Sequence, residues 1–143
     1  MPGEDNAAVI RRWIEGYNDR DTQAEAAARA PGFVAHMPGV PGPLDGDGWT
    51  GFIAAFAAAF PDLRLTVEDS VAAGDRVAAR VTFRGTHRGE FQGIPPTGRQ
   101  VAFTAIEFNR MEDGKVAEHW VEIDLLGLLR LLGAIPTAGT AGS

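Results

Sequence analysis

Apolar residues recur with two different periods along the chain, and the change between them divides it. Val9, Ile10, Trp13, Ile14 and Tyr17 fall at helical spacing behind Asp5 and Asn6, which predicts an amphipathic helix over about Asn6 to Asn18 with a polar cap. Thr22 and Glu25 fit a capping box, and the Ala-rich stretch after them stops at Pro31 and Gly32, giving a short second helix. Phe33 to Met37 reads as a short extended piece leading into a loop rich in Gly and Pro from Pro38 to Gly48. Trp49, Phe52, Ile53, Phe56 and Phe60 return to helical spacing, and Pro61 ends that third helix.

Past Pro61 the period becomes two. Leu63, Leu65 and Val67 alternate with Arg64, Thr66 and Glu68, and after a turn at Ala73-Gly74-Asp75 the residues Val77, Ala79, Val81 and Phe83 alternate with Ala78, Arg80, Thr82 and Arg84. Val101 to Met111 is largely apolar on both faces, and Asp113-Gly114 is a hairpin signal leading into Val116 to Ile123. Leu125 to Leu132 forms a short apolar helix that Gly133 ends. Three helices, four long antiparallel strands and a terminal helix make the α+β pattern, with helices on one face of a curved sheet. Such a sheet encloses a pocket lined by large apolar residues of the first and third helices. Residues 1–133 are expected to form one domain, followed by an Ala/Gly/Thr/Ser tail over 134–143.

Composition narrows the chemistry. At 143 residues, with 45% hydrophobic and 22% charged positions, the chain can bury one core and is neither disordered nor low in complexity. It has no Cys, which removes disulfides, thiolate metal sites and cysteine nucleophiles. A net charge of −6 argues against a nucleic-acid partner and for a small, uncharged one. No apolar run approaches the roughly 20 residues of a membrane span, and the acidic start MPGEDN is unlike a signal peptide, so a cytoplasmic location is expected.

The densest polar cluster is Glu118, His119, Trp120, Glu122 and Asp124. Strand alternation puts Trp120, Glu122 and Asp124 on one face and His119, Val121 and Ile123 on the other. A carboxylate beside an indole in an apolar pocket has its pKa raised toward neutrality, which suits a general acid or base; the same Asp124 also suits the N-cap of the following helix. His36, His87 and His119 are too far apart for a short metal-ligand motif, so no metal is expected. His87 has core-facing parity, and His36 precedes a loop; each fits either a pocket contact or a structural hydrogen bond. No phosphate-binding glycine motif follows a strand, and neither Ser70 nor Ser143 lies in a GxSxG elbow.

The segments Asp75-Arg76-Val77 to Arg80, Arg84-Gly85-Thr86-His87-Arg88-Gly89-Glu90-Phe91, Gly93-Ile94-Pro95-Pro96-Thr97-Gly98-Arg99 and Asp113-Gly114-Lys115 through Glu118-His119-Trp120 and Asp124 to Gly133, with Phe33-Val34-Ala35-His36 and Phe60-Pro61-Asp62-Leu63 before them, resemble the SnoaL-like polyketide cyclases. The likeness covers about residues 7 to 133. It implies a cone-shaped α+β barrel of the ketosteroid isomerase and nuclear transport factor type, a homodimer or larger homo-oligomer. It also implies cofactor-independent aldol-type ring closure of a polyketide-like ester. In that reading Asp124 is the acid/base, the same aspartate or a neutral partner such as His119 or His87 returns the proton, and Trp13, Tyr17, His36, Phe56, Trp120 and Glu122 contact the substrate. Two other classes fit the same residues: an epoxide-hydrolase-like or isomerase enzyme, and a ligand-binding module without chemistry. Arg80, whose parity is opposite to the core, counts against the hydrolase.

Overall fold

The computed structural model describes residues 2–135, with side chains from Asp5 onward. The elements in order are α1 (Pro2–Asn18), α2 (Thr22–Ala27), β1 (Arg29–His36), α3 (Gly46–Ala59), β2 (Arg64–Ala73), β3 (Arg76–Thr86), β4 (Gln100–Glu112), β5 (Lys115–Ile123) and α4 (Leu125–Leu131). The strands form one curved, unclosed sheet in the order β1-β5-β4-β3-β2. The architecture is α+β, with α1 lying against β2, β3 and β5.

The four long strands pair antiparallel along the whole chain of hairpins, as their alternation predicts. The first turn uses Gly74 at positive φ, and Asp113 and Gly114 both adopt positive φ, the requirement of a tight two-residue hairpin. The extended piece before the Gly/Pro loop differs from expectation. It is a fifth strand, eight residues long, that starts at Arg29 and pairs parallel with β5, so the sheet is mixed rather than wholly antiparallel. Pro31 and Gly32 therefore lie inside a strand. They fall in the stretch between Arg29 and Val34 where the pairing register shifts, an edge-strand irregularity that tolerates a missing N–H.

Helix starts also shift. The side chain of Asp21, rather than Thr22, caps α2 by accepting from the Ala24 N–H at 3.0 Å, which leaves Glu25 free to turn inward. Asp45 caps α3 through the Gly48 N–H at 2.8 Å, so this helix begins three residues before Trp49. Two buried apolar clusters result: one where α1 and Trp49 meet the sheet, and one around Phe56, Phe60, Phe91 and Leu128 under α4. The expected tail lies, from residue 136 onward, outside the described residues. Among the described residues no helix is long and apolar enough to cross a membrane.

Candidate active site

A partly open cavity of about 70 Å³ lies between the concave face of the sheet and the helices. Trp13, Ile14 and Tyr17 reach it from α1, Trp49, Phe52 and Phe56 from α3, and Phe83, Glu107, His119 and Val121 from the strands. Its lining is almost wholly apolar, so the few polar groups define what it can do chemically.

Glu107 is the first. On β4 the odd positions from Val101 to Met111 face inward, and the alternation that buries Phe103 and Ala105 also buries Glu107 and Asn109. Burial disfavours the carboxylate and pushes its pKa up to about 7, opposed only by the hydrogen bond from Asn109. The Asn109 Nδ2 donates to Glu107 Oε1 at 3.1 Å and to the Val77 carbonyl at 3.4 Å. Its amide orientation is thereby set. The Asn109 Oδ1 then lies 2.7 Å from His119 Nδ1, which must be the protonated ring nitrogen.

His119 is consequently neutral with its lone pair on Nε2, a nitrogen without a hydrogen-bond partner among the described residues. Burial pushes its pKa down to about 3, with the nearby His36 charge adding a little in the same direction. Tyr17 supplies the complementary group. Its hydroxyl is buried without a partner, and burial raises its pKa against a smaller opposing influence of Arg20, so it remains an O–H donor. The Arg20 guanidinium stands 5.0 Å from the Tyr17 ring centroid and is itself anchored on the carbonyls of Tyr17, Pro61 and Leu63.

Of the residues singled out in the sequence, the structure brings Trp13, Tyr17, Phe56 and His119 together around the cavity. Trp120 and Glu122 lie on the other face of β5, because the inward parity belongs to His119, Val121 and Ile123. Trp120 stacks on His36 with ring centroids 5.2 Å apart, and His36 Nε2 lies 2.7 Å from Glu118 Oε2. That contact, with Arg110 assisting, holds the Glu118 carboxyl below its ordinary range. His87 is completely buried away from the cavity. Its Nδ1 accepts from the Thr97 N–H at 3.1 Å and fastens the loop between β3 and β4, while its ring packs on Phe60. Asp124 is exposed at the N-cap of α4 and accepts from the Gly127 N–H at 2.9 Å.

The residues that reading the sequence passed over are Glu107, Asn109 and Glu25. The first two carry a visible signal: they are the only polar side chains at inward parity between Val101 and Met111. Among the described residues no group of three His, Asp or Glu side chains could hold a metal ion.

A curved α+β sheet over an apolar cavity lined by two buried carboxyls, Glu107 and the hydrogen-bonded Glu25, with one neutral imidazole and one phenol, defines a small-molecule pocket with groups that can exchange protons. The family model for SnoaL-like polyketide cyclases matches residues 7–132, and the chain belongs to that family. Among its relatives, the aklanonic acid methyl ester cyclase DnrD of Streptomyces peucetius is 30% identical over 138 residues, covering 87% of this chain and 88% of DnrD. IdmH of Streptomyces antibioticus is 38% identical and superposes with a TM-score of 0.82 over 90% of this chain and 98% of its own. AclR of Streptomyces galilaeus, provisionally designated a hydroxylase, is 33% identical, with a TM-score of 0.86 over 94% and 99% of the two chains.

Proposed function

We propose that this protein catalyses a cofactor-independent intramolecular aldol-type ring closure of a polyketide-like ester, with Glu107 as the acid/base. The observation that carries the reading is a buried carboxyl with a pKa of about 7 facing an apolar cavity that also receives the unpartnered hydroxyl of Tyr17. The methyl ester cyclases among the relatives supply the substrate class.

A carbon between two carbonyls is acidic enough for a carboxylate of this basicity to deprotonate it. The Glu107 carboxylate takes that proton, and the Tyr17 O–H donates a hydrogen bond to the enolate oxygen. The carbon then attacks a second carbonyl of the same molecule. Glu107, now protonated, returns the proton to the new alkoxide, and the enzyme is restored. His119, with Nε2 unprotonated, accepts a hydrogen bond from an enol or hydroxyl of the substrate. The cavity holds about five to seven waters' worth of space, which fits the reacting arm rather than a fused ring system.

The outer face of the sheet supports association with a second copy. Ile106 is 59% and Phe108 44% exposed there beside Trp120, a cluster that water disfavours.

The test is twofold: ring closure of aklanonic acid methyl ester followed by chromatography, and deuterium exchange at C2 of methyl benzoylacetate in heavy water. The parent is expected to accelerate both, and Glu107→Gln to lose about 10² to 10⁴-fold in each. Rates no higher than buffer in both assays refute the reading.

A further inference from the structure

The Glu25 carboxylate joins three helices at one point. The indole N–H of Trp13, from α1, and that of Trp49, from α3, both end on its Oε2, at 2.8 and 3.1 Å. Its other oxygen accepts from Arg29 Nη2 at 3.0 Å, and Arg29 is fixed in turn by the Gly46 carbonyl at 2.9 Å and the Thr50 hydroxyl at 3.1 Å. The carboxylate is buried, and its donors leave it no role as a free base.

The two indoles it fastens are the walls against which His119 stands. Each ring centroid lies 5.1 Å from that of His119, at interplanar angles of 89° for Trp13 and 68° for Trp49. Phe33 completes the cluster, 6.0 Å from Trp13 and 5.9 Å from Trp49. A single hydrogen bond from Nδ1 to Asn109 fixes one atom of the imidazole but leaves the ring free to tilt about that bond. Contacts from both indoles remove the tilt. Without the carboxylate, two buried indole N–H groups lose their acceptor and the Arg29 guanidinium loses one of its three, and the rings must turn to find another.

We propose that Glu25 is a positioning residue, whose Oε2 clamps Trp13 and Trp49 into a fixed wall that, with Asn109, holds the His119 ring so that Nε2 stays unprotonated and available to the cavity. Its consequence for turnover rests on the acid/base reading above; the clamp itself does not.

Nitrogen-15 NMR of the full chain tests it without any ligand. Of the three indole N–H signals, two are expected to exchange slowly with water in the parent, and His119 is expected as a single Nδ1–H tautomer. In Glu25→Leu, both indole signals move and His119 shows a mixture of tautomers. In Glu25→Gln, whose carbonyl oxygen can still serve both indoles while its amide gives up only the bond from Arg29, which keeps Gly46 and Thr50, the parent pattern returns. In the methyl benzoylacetate exchange assay, Glu25→Leu is expected to lower kcat by roughly 10-fold or more with KM little changed, and Glu25→Gln to recover to within about threefold of the parent. If Glu25→Leu fails to fold, Trp49→Phe replaces it, since Phe keeps a ring and removes one clamped N–H. An unmixed Nδ1–H tautomer in the folded Leu or Phe variant overturns the proposal. A parent without exchange activity but with these NMR changes removes the acid/base reading and leaves the clamp standing.

Discussion

Asn109 Oδ1 lies 2.7 Å from Nδ1 of His119, and this contact decides which imidazole nitrogen can meet a substrate. The same amide binds Glu107 through Nδ2. A fully buried side chain on β4 thus links Glu107 and His119 and leaves each a free atom for chemistry.

Asn109→Leu is therefore expected to damage both stability and turnover. It leaves a buried imidazole N–H and a carboxyl oxygen unpaired, a loss of about 2 to 4 kcal/mol in urea unfolding. Refolded material should show His119 with its proton redistributed between the two nitrogens. A variant as stable as the parent would mean that water replaces the amide.

The rate of exchange or ring closure should rise with pH through about 7, because only the ionised Glu107 can take a proton. The pH profile of kcat/KM gives the midpoint. In Glu107→Gln the residual rate should have no such rise. A midpoint near the ordinary carboxylate range in the parent would exclude Glu107 as the base.

Stability should respond to pH in two opposed ways. Glu107 keeps its proton in the fold up to about 7 but loses it near 4.5 in the unfolded chain, so its burial lowers stability as pH rises between those values. His119 stays neutral in the fold down to about 3 but is protonated below 6.5 when unfolded, so stability falls as pH drops through that range. The two slopes oppose each other from about 4.5 to 6.5. Urea unfolding of Glu107→Gln should accordingly show stability rising with pH there, and a gain over the parent of about 3 kcal/mol above pH 7. Parallel profiles for the two proteins would contradict the buried, titrating carboxyl.

Much of this arrangement is legible in the sequence, and the parts that are not have physical causes. Period changes at Pro61 and the turn residues Gly74 and Asp113-Gly114 are local, and they locate the β2–β3 and β4–β5 hairpins. The parallel strand β1 is not local: its pairing with β5 joins residues more than eighty positions apart, such as His36 and Trp120. Trp13, Tyr17 and Phe56 stand out as large residues on a helical stripe. Glu25 does not, since its place in a capping-box pattern gives it an ordinary surface role, and only the meeting of α1, α2 and α3 reveals the indoles it binds. Glu107 was hidden by the apolar residues around it, although its parity matches that of Phe103 and Ala105.

Association should depend on the outer sheet face. Arg80, Ile106 and Glu122 occupy one row across three strands, so a second copy turned about an axis along the strands sets Arg80 against Glu122 with Ile106 between. Ile106→Glu places a charge in the centre of that row. Sedimentation of the parent is expected to give at least twice the 15.2 kDa of one chain, and the variant one chain. A parent that sediments as a single chain at micromolar concentration refutes the interface.

Asp124 is exposed, and its carboxylate holds the Gly127 N–H at the start of α4, whose Leu128, with Leu132 at its C-terminal cap, seals the second apolar cluster. Asn at this position still accepts an N-cap hydrogen bond but cannot take a proton, whereas Ala can do neither. If capping is the role of Asp124, Asp124→Asn keeps both stability and rate near the parent's, and Asp124→Ala loses about 1 kcal/mol of stability with the rate retained in the folded fraction. If Asp124 is the acid/base instead, the Asn variant folds normally yet loses about 10² to 10⁴-fold in ring closure. The geometry favours the first outcome, because Glu107 lines the cavity without the indole and guanidinium donors that occupy Glu25, and Asp124 is not among the lining residues. Assaying Asp124→Asn beside Glu107→Gln, on one substrate at one pH above 7, decides which carboxyl moves the proton.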